Sequence, residues 1–257
     1  MDGKGRKRRR VDAREVLYGF HPVKEALAAG RRRFFNILVG RSPNSERHGQ
    51  IARLAEKNGI AWQTQPAAQL YALCGSDQHQ GVVAAVTPLP VDVLEPVVSD
   101  RCRDGAACLL VLLDGIVDPN NLGAIMRTAH CVGADALIVP KDRAAWATPA
   151  VSKASAGAME HTRLCRVTNL ASTIQWLKKK GVWVAGMAME ADRTVFQADL
   201  KGPLALVVGG EEKGLRPLVR QYCDFLVSIP LRGRIDSLNA SAAAAVVLYE
   251  AFRQRHQ

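Results

Sequence analysis

Three stretches of the chain place polar side chains and glycines where a ligand can be bound and turned over. They are residues 114–127, 209–214 and 228–241. Each follows an apolar run that predicts a strand, and each precedes a run that predicts a helix. Because strand ends leave C=O groups unpaired and helix starts leave N–H groups unpaired, each stretch offers polar backbone contacts.

The first two stretches carry side chains that suit an anionic or hydroxyl-bearing ligand. Asn120 or Asn121 is placed to cap the helix that carries Arg127, and a guanidinium near a helix start can hold a phosphate or orient a hydroxyl. In the second stretch, adjacent glycines let a ligand approach the backbone, and Glu211 stands at the carboxyl end of a strand. The same residues are also compatible with a helix cap, a surface arginine and an ordinary loop.

The third stretch joins a strand to a helix that is rich in alanine. Pro230 ends the predicted strand because proline has no N–H for the ladder. Ser237, Asn239 and Ser241 are all candidate N-caps for the helix. Taken alone, this stretch is most simply a connection between strand and helix, so its role depends on the other two.

From Cys108 onward, the pattern alternates between strand and helix. It predicts strands at 109–113, 136–139, 182–186, 204–208 and 225–229, and helices near 122–131, 150–158, 170–180, 215–222 and 241–254. Apolar strands between helices are typical of a parallel sheet covered on both faces, and such sheets bind ligands beyond the carboxyl ends of their strands. The sequence therefore predicts an α/β domain at residues 108–257 with the three stretches at one edge of its sheet.

Residues 16–87 predict a separate, smaller α/β unit. Arg31, Arg32 and Arg33 stand between its first helix and the following strand, where clustered guanidiniums suit phosphate groups, although a solvated loop has the same composition. Residues 88–107 contain three prolines and predict an interdomain linker with a short helix near its middle.

The composition indicates which binding partners and which cellular compartment are expected. A net charge of +11 favours a polyanion, most simply nucleic acid. The basic tail at residues 1–15 is expected to be disordered alone, and is either an RNA-contacting arm or a solubilising tail. Six cysteines without metal-ligand spacing predict free thiols in a reducing cytosol and no metal site. No apolar run reaches the ~20 residues of a membrane span.

In combination, the three stretches resemble the three motifs of the SpoU/TrmH family of SPOUT-type RNA 2′-O-methyltransferases. The matching residues are Asn121…Arg127-Thr128, Gly209-x-Glu211-x-x-Gly214-Leu215 and Ile229-Pro230…Ser237-Leu238-Asn239-x-Ser241. Further stretches are similar to one subgroup, the bacterial RlmB guanosine methyltransferases of 23S ribosomal RNA, namely Tyr18–Val23, Val151–Lys153, Gly157–Glu160, Arg166–Ala171 and Glu190–Asp192. The chain departs from the family pattern at Glu212, where a glycine is usual, and at Ala240 and Ala242, where valines are usual.

The resemblance implies a fold and an activity. The fold would be α/β, with a SPOUT-type parallel sheet, a C-terminal trefoil knot and a small N-terminal L30e-like RNA-binding domain. The activity would be methyl transfer from S-adenosylmethionine to the ribose 2′-oxygen of a guanosine in the peptidyl-site loop of 23S ribosomal RNA. Two protomers would pack knot to knot as a homodimer with a shared active site, and the protein would be cytoplasmic.

The resemblance also implies a cofactor site and an RNA contact. The backbone of Gly209, Ile229 and Leu238 would hold S-adenosylmethionine, with Leu231 nearby. An N-terminal RNA-binding domain gives the arginine cluster at 31–33 a natural partner in the ribosomal RNA.

For the reaction itself, the resemblance assigns the catalytic role to Arg127. A guanidinium stays protonated in proteins, so Arg127 is better suited to stabilise the developing alkoxide than to act as a base. Asn121, Ser237 and Asn239 would position the ribose and Arg127, while Glu211 would order the loops.

Other functions stay open from the sequence. The chain could be a non-catalytic RNA-binding factor in ribosome assembly that keeps the fold without the chemistry. It could also methylate tRNA or another site in ribosomal RNA. A nicotinamide dehydrogenase is a more distant alternative, because the chain has no G-x-G-x-x-G fingerprint in its glycine-rich stretch.

Overall fold

A computed structural model of the chain describes residues 13–41, 46–103 and 107–257. The predicted basic tail up to position 12 and residues 104–106 of the predicted linker lie outside the described residues. Contacts divide the chain into two compact units, which adjoin in sequence at Leu89 and Pro90.

The first unit is a four-stranded sheet with three helices. Its elements are β1 (Glu15–Tyr18), α1 (Phe20–Ala29), β2 (Phe34–Gly40), α2 (Glu46–Lys57), β3 (Trp62–Gln65), α3 (Ala67–Cys74) and β4 (Val82–Val86). The strand order is β1-β4-β2-β3, with only β2 and β3 parallel among these pairs. Val23 of α1 and Ile51 of α2 pack with Leu17, Ile37 and Val82 in one buried cluster.

Arg32 has a different role from the one predicted for the arginine cluster. Its side chain is fully buried, forms a 2.7 Å ion pair with Glu15, and donates a 2.9 Å hydrogen bond to the carbonyl of Thr87. A buried guanidinium requires such partners, since an unpaired charge in the interior is costly. Arg32 therefore joins β1 to the residue that follows β4 and is not presented to phosphates, whereas Arg33 is exposed.

The second unit contains a six-stranded sheet. Its elements are α4 (Leu94–Arg101), β5 (Leu109–Asp114), α5 (Pro119–Cys131), β6 (Ala136–Pro140), α6 (Pro149–Ala154), β7 (Leu164–Val167), α7 (Leu170–Lys179), β8 (Trp183–Met187), β9 (Leu204–Gly209), α8 (Pro217–Tyr222), β10 (Phe225–Val227) and α9 (Ala240–Arg255). The order is β10-β8-β9-β5-β6-β7 and every pairing is parallel. The predicted parallel sheet is thus confirmed, and β5, buried at all six positions, lies inside it.

Two local differences from the predicted elements have clear causes. The predicted helix at 150–158 ends at Ala154, because Ala156 and Gly157 have left-handed backbones with φ of 52° and 87°. The predicted linker is largely part of the second unit: α4 buries Val97 and Val98 in the core cluster that contains Leu110. Pro88 and Pro90 precede this helix, and Pro96 lies in its first turn.

The cysteines also differ from the prediction. Cys102, just after α4, and Cys108, just before β5, form a disulfide. The helix end and strand start bring their Cα atoms to 5.1 Å, which a spacing of six residues does not reveal. The prediction of free thiols is therefore wrong for this pair; the other cysteines form no disulfide, and burial raises the pKa of the Cys223 thiol to about 12.

Over the described ranges, no helix is long and apolar enough to cross a membrane. The same residues contain no group of three or more His, Cys, Asp or Glu side chains arranged to hold a metal ion.

Candidate active site

A cavity of about 390 Å³ lies beyond the carboxyl ends of β8, β9 and β10. Such a volume is in the range of sites for small molecules. Residues 187–190, 208–215, 227–229 and 236–238 contribute to its walls, together with Arg220, Leu231, and Ala240 and Ala243 of α9. The four residues predicted to hold the cofactor all line this one cavity: Gly209, Ile229, Leu231 and Leu238. The segment after β8, with Met189 and Glu190, was not predicted from the sequence.

The glycines of the second stretch are required by close backbone contacts. A Cβ on Gly209 would lie 2.4 Å from the carbonyl carbon of Gly214, and one on Gly210 would lie 2.5 Å from the carbonyl oxygen of Gly115. Gly214 has a φ of 59° and donates a 2.9 Å hydrogen bond to the carbonyl of Gly210. The segment therefore folds back on itself against the end of β5, which leaves its backbone open to the cavity.

A chain of side-chain hydrogen bonds joins the three stretches. Asn121 is buried on the first turn of α5, and its amide nitrogen donates to Glu211. The carbonyl oxygen of the same amide accepts a 3.0 Å hydrogen bond from the amide nitrogen of Asn239. One amide thus connects residues that are 90 and 118 positions away in sequence.

Asn239 has a second role as the N-cap of α9. Its side-chain oxygen accepts hydrogen bonds from the backbone N–H of Ser241 at 2.9 Å and of Ala242 at 3.3 Å, and from the Ser241 hydroxyl at 2.6 Å. Of the three candidate caps, Asn239 is the one used. Ser237 instead lines the cavity.

The cap of α5 differs from the prediction. It is Asp118, whose carboxylate accepts hydrogen bonds from the backbone N–H of Asn120 at 3.0 Å and from its side chain at 3.2 Å. These bonds hold the pKa of Asp118 below its usual value, the backbone contribution being the largest. The prediction that Asn120 or Asn121 caps the helix is therefore wrong. Since the cap is supplied by Asp118, the side chain of Asn121 is available for Glu211 and Asn239.

Arg127 stands apart from the other predicted catalytic residues within its own chain. It lies on the exposed side of α5 and is absent from the described residues that line the cavity. Within the described part of the chain, its guanidinium has no hydrogen bond or ion pair. In one chain, Glu211 and Ser237 therefore line the cavity, and hydrogen bonds join Asn121 to Glu211 and Asn239 to Asn121. Arg127 does not line this cavity.

Two ion pairs that sequence reasoning missed support the same site. Asp114, 1% exposed at the end of β5, accepts hydrogen bonds from the backbone N–H of Arg216 at 2.8 Å and from its Nε at 2.6 Å. At the cavity, Glu190 pairs with Arg220 at 3.1 Å, and both residues line the walls. An acid at the end of a wholly apolar strand was the available signal for Asp114. No local pattern marks the second pair.

The charges around the cavity favour a cationic ligand. Its lining residues include four acids, Glu190, Glu211, Glu212 and Asp236, against two bases, Lys213 and Arg220. Opposite charges attract each other, and solvent weakens this attraction at such an open site. The excess of two negative charges fits a group such as the sulfonium of S-adenosylmethionine, and the exposed backbone of the glycine segment fits a nucleoside.

Family models match most of the chain. The model described as the SpoU rRNA Methylase family matches residues 108–249. The model described as RNA 2′-O ribose methyltransferase substrate binding matches residues 16–91.

Individual relatives extend over nearly the whole chain. A protein of Shewanella oneidensis named 23S rRNA (guanosine-2′-O-)-methyltransferase RlmB is 41% identical over 241 residues, which are 94% of this chain and 98% of the relative. The crystal structure of the SpoU methyltransferase AviRb from Streptomyces viridochromogenes in complex with AdoMet is 29% identical, with a TM-score of 0.78 over 94% of this chain and 90% of that one. An RNA 2′-O ribose methyltransferase structure is 28% identical, with a TM-score of 0.81 over 98% and 93% of the two chains.

Proposed function

The chain belongs to the SpoU rRNA methylase family, and we propose that it transfers a methyl group from S-adenosylmethionine to the ribose 2′-oxygen of a guanosine in 23S ribosomal RNA. The main structural support for this function is the cavity, whose wall residue Glu211 is joined to Asn121, and through it to Asn239, by hydrogen bonds. All of these residues lie in the region that matches the family model. The relatives named for this activity cover almost the whole chain, including the N-terminal unit.

The residues present fit the cofactor. S-adenosylmethionine supplies an electrophilic methyl group on a positively charged sulfur. Gly209, Ile229 and Leu238 would bind its nucleoside through their backbone, and Leu231 would cover it. The acidic lining of the cavity favours the sulfonium.

Catalysis rests mainly on placement of the 2′-oxygen. Holding two reacting atoms about 3–3.5 Å apart in the right orientation can supply most of the acceleration. In this proposal, Asn121, Asn239 and Ser237 orient the ribose, and Glu211 keeps the loops in register through Asn121. Arg127 stabilises the developing alkoxide and the adjacent phosphate, while the hydroxyl proton leaves to solvent or phosphate.

The position of Arg127 supports a site shared between two copies of the chain. Because its guanidinium does not line the cavity of its own chain, it is available to the cavity of a partner. Exposed apolar residues offer a surface for that partner: Ile235 is 76% exposed, and Tyr249 of α9 is 52% exposed. We therefore propose a homodimer in which Arg127 of each chain completes the site of the other.

The chain path and the RNA contacts complete the proposal. We propose that the segment from Ser228 to α9 forms the trefoil knot of the family. This segment and residues 208–215 line the same cavity, which supports the proposal.

The N-terminal unit is proposed to be L30e-like and to bind ribosomal RNA through Arg31 and Arg33. The match of residues 16–91 to a substrate-binding family model supports this role. The target would be in the peptidyl-site loop, and the reaction would occur in the cytoplasm.

Methyl transfer to defined RNA tests this function. Wild-type protein should transfer labelled methyl groups from S-adenosylmethionine to a transcript of the 23S peptidyl-site region, and not to the same transcript with 2′-deoxyguanosine at the target. Transfer RNA run in parallel tests the alternative substrate. Failure to bind S-adenosylmethionine in calorimetry would instead support a non-catalytic assembly factor.

A further inference from the structure

A second cluster of charged and aromatic residues lies at the carboxyl edge of the sheet, outside the cavity. It consists of Lys141 and Arg143, in the segment between β6 and α6, Trp146 of the same segment, and Arg166 of β7. We call these four residues the β6–α6 patch. The backbone N–H of Lys141 donates a 2.8 Å hydrogen bond to Val167, so the segment starts directly beside the end of β7.

The patch combines an aromatic ring with positive charge that carboxylates do not neutralise. The guanidinium carbon of Arg166 lies 4.8 Å from the centre of the half-buried Trp146 ring, and its Nη2 donates a 2.8 Å hydrogen bond to the carbonyl of Lys141. Over the described ranges, Lys141, Arg143 and Arg166 form no ion pair. Three bases against the one acid of the segment, Asp142, give the patch an excess of positive charge.

The strand order places this patch and the cavity on opposite sides of the loop that joins β5 to α5. The cavity is built after β8, β9 and β10, while the patch is built after β6 and β7, and β5 lies between the two groups. The residue that follows β5 by two positions, Ile116, accepts a 2.8 Å hydrogen bond from the backbone N–H of Ala145 in the patch segment. The patch is thus fixed to the loop that leads into α5 and Asn121.

The backbone of the segment has the strain often found at binding sites. Arg143 has a φ of 55°, in the left-handed region that residues other than glycine seldom adopt. Such conformations persist only where the surroundings hold them, and they cluster at functional sites. Here the hydrogen bonds to Val167 and Ile116 hold the segment on both sides of Arg143.

We propose that the β6–α6 patch binds the nucleotides adjacent to the target guanosine, an inference that rests on the proposed function. Trp146 stacks on a neighbouring base, and Lys141, Arg143 and Arg166 contact the flanking phosphates. Sequence-specific RNA recognition commonly uses bases splayed from a loop and stacked on aromatic rings or guanidinium planes. If the target ribose enters the cavity beside the loop that joins β5 to α5, the nucleotides adjacent to it lie on the side of that loop where the patch is.

Replacement of Trp146 tests the stacking contact. Trp146→Ala should weaken binding of the target RNA stem-loop about 10-fold, because one base–aromatic stack is lost. Affinity for S-adenosylmethionine, measured by calorimetry, should be unchanged, and Trp146→Phe should restore most RNA affinity. Trp183→Ala is the matched control, since Trp183 is 60% exposed at the start of β8, on the opposite edge of the sheet.

The charged residues give a second, independent readout. Arg166→Gln and Lys141→Gln should each lower the slope of log affinity against log salt by about 0.7–0.9, the value for one lost phosphate contact. The inference is overturned if Trp146→Ala binds RNA as tightly as wild type, or if its affinity for S-adenosylmethionine falls in parallel. If wild-type protein transfers methyl groups while Trp146→Ala is unaffected, only this inference fails. If wild type transfers none, the proposed function fails, and the RNA-binding measurements still decide the role of the patch.

Discussion

At the scale of single residues, Asn239 performs two tasks with the two ends of one amide. Its oxygen caps α9, and its nitrogen donates to Asn121. The two tasks can be separated because an aspartate at this position keeps the cap oxygen but has no N–H to donate.

Substitutions of Asn239 should therefore have different effects on stability and activity. Asn239→Ala should lose about 1 kcal/mol of stability with the cap, and also lose activity. Asn239→Asp should keep the contribution of the cap to stability and still slow single-turnover methylation at least about 10-fold, since about 1.4 kcal/mol of positioning corresponds to that factor. Urea unfolding and rapid-quench kinetics measure the two quantities. Wild-type rates in Asn239→Asp would show that the link to Asn121 is unimportant.

The residue types of the site could be predicted from the sequence, but their contacts could not. The motifs identify Asn121, Glu211 and Asn239 as candidate site residues. The hydrogen bonds of the Asn121 amide with Glu211 and Asn239 depend on packing between distant segments, which the sequence does not show. The helix cap shows the same limit. Asp, Asn and Ser are nearly equivalent as caps, so local sequence could not choose Asp118 over its neighbours, and it could not show that Arg32 is buried against Glu15.

At the scale of elements, the turn after β9 depends on close approach of two backbones. Gly209→Ala should displace this turn, because its new Cβ would lie 2.4–2.7 Å from backbone atoms of Gly214 and Leu215. Overpacking of this kind typically costs about 1–3 kcal/mol, so S-adenosylmethionine should bind roughly 5- to 150-fold more weakly in calorimetry. The matched control is Gly202→Ala, where a Cβ meets nothing within 4 Å. Equal cofactor affinity in both variants would contradict this account of the cavity.

The last helix contains a carboxylate that should link its stability to pH. Glu250 is 7% exposed and accepts hydrogen bonds from Arg253 at 2.8 and 2.9 Å and from Gln254 at 2.8 Å. Arg253, and then Gln254, lower the pKa of Glu250 from 4.5 to about 2. Because the folded pKa is depressed, the stabilisation is complete above about pH 4.5 and is lost as the pH falls toward 2.

Glu250→Gln should expose this dependence in urea unfolding at several pH values. The variant should be less stable than wild type near neutral pH, and the difference should shrink as the pH falls from 4.5 toward 2. A difference that stays constant over this range would show that Glu250 does not couple the stability of α9 to protonation.

Strands and helices were predictable where the local pattern was strong. The apolar runs of β5, β6 and β9 identify buried parallel strands, and five of the six strands of this sheet were predicted. The strand β7 has only four residues and includes the exposed Arg166, so it lacks that pattern. The role of α4 in the core and the Cys102–Cys108 disulfide are set by tertiary packing, which the prolines and the cysteine spacing do not reveal.

At the scale of the whole molecule, the placement of Arg127 and the exposed apolar residues support the proposed homodimer. Ile235 is 76% exposed and does not line the cavity, so Ile235→Asp should disturb association without touching the cofactor. Burial of an isoleucine contributes about 1.5–3 kcal/mol, and a two-fold interface contains it twice, so the dimer should dissociate at least about 100-fold more readily. Light scattering measures the mass. Leu73→Asp, at a 53% exposed position of the first unit, is the control. A fully active wild-type monomer at micromolar concentration would refute the shared site.

The most direct test of methyl transfer to 23S ribosomal RNA is a map of ribose 2′-O-methylation in a strain that lacks this protein. In that strain, one guanosine of 23S RNA should lose its 2′-O-methyl group. Wild-type protein should restore that group, and Arg127→Ala should not, although Arg127→Ala still binds S-adenosylmethionine. An unchanged methylation map, or full restoration by Arg127→Ala, would contradict the assignment.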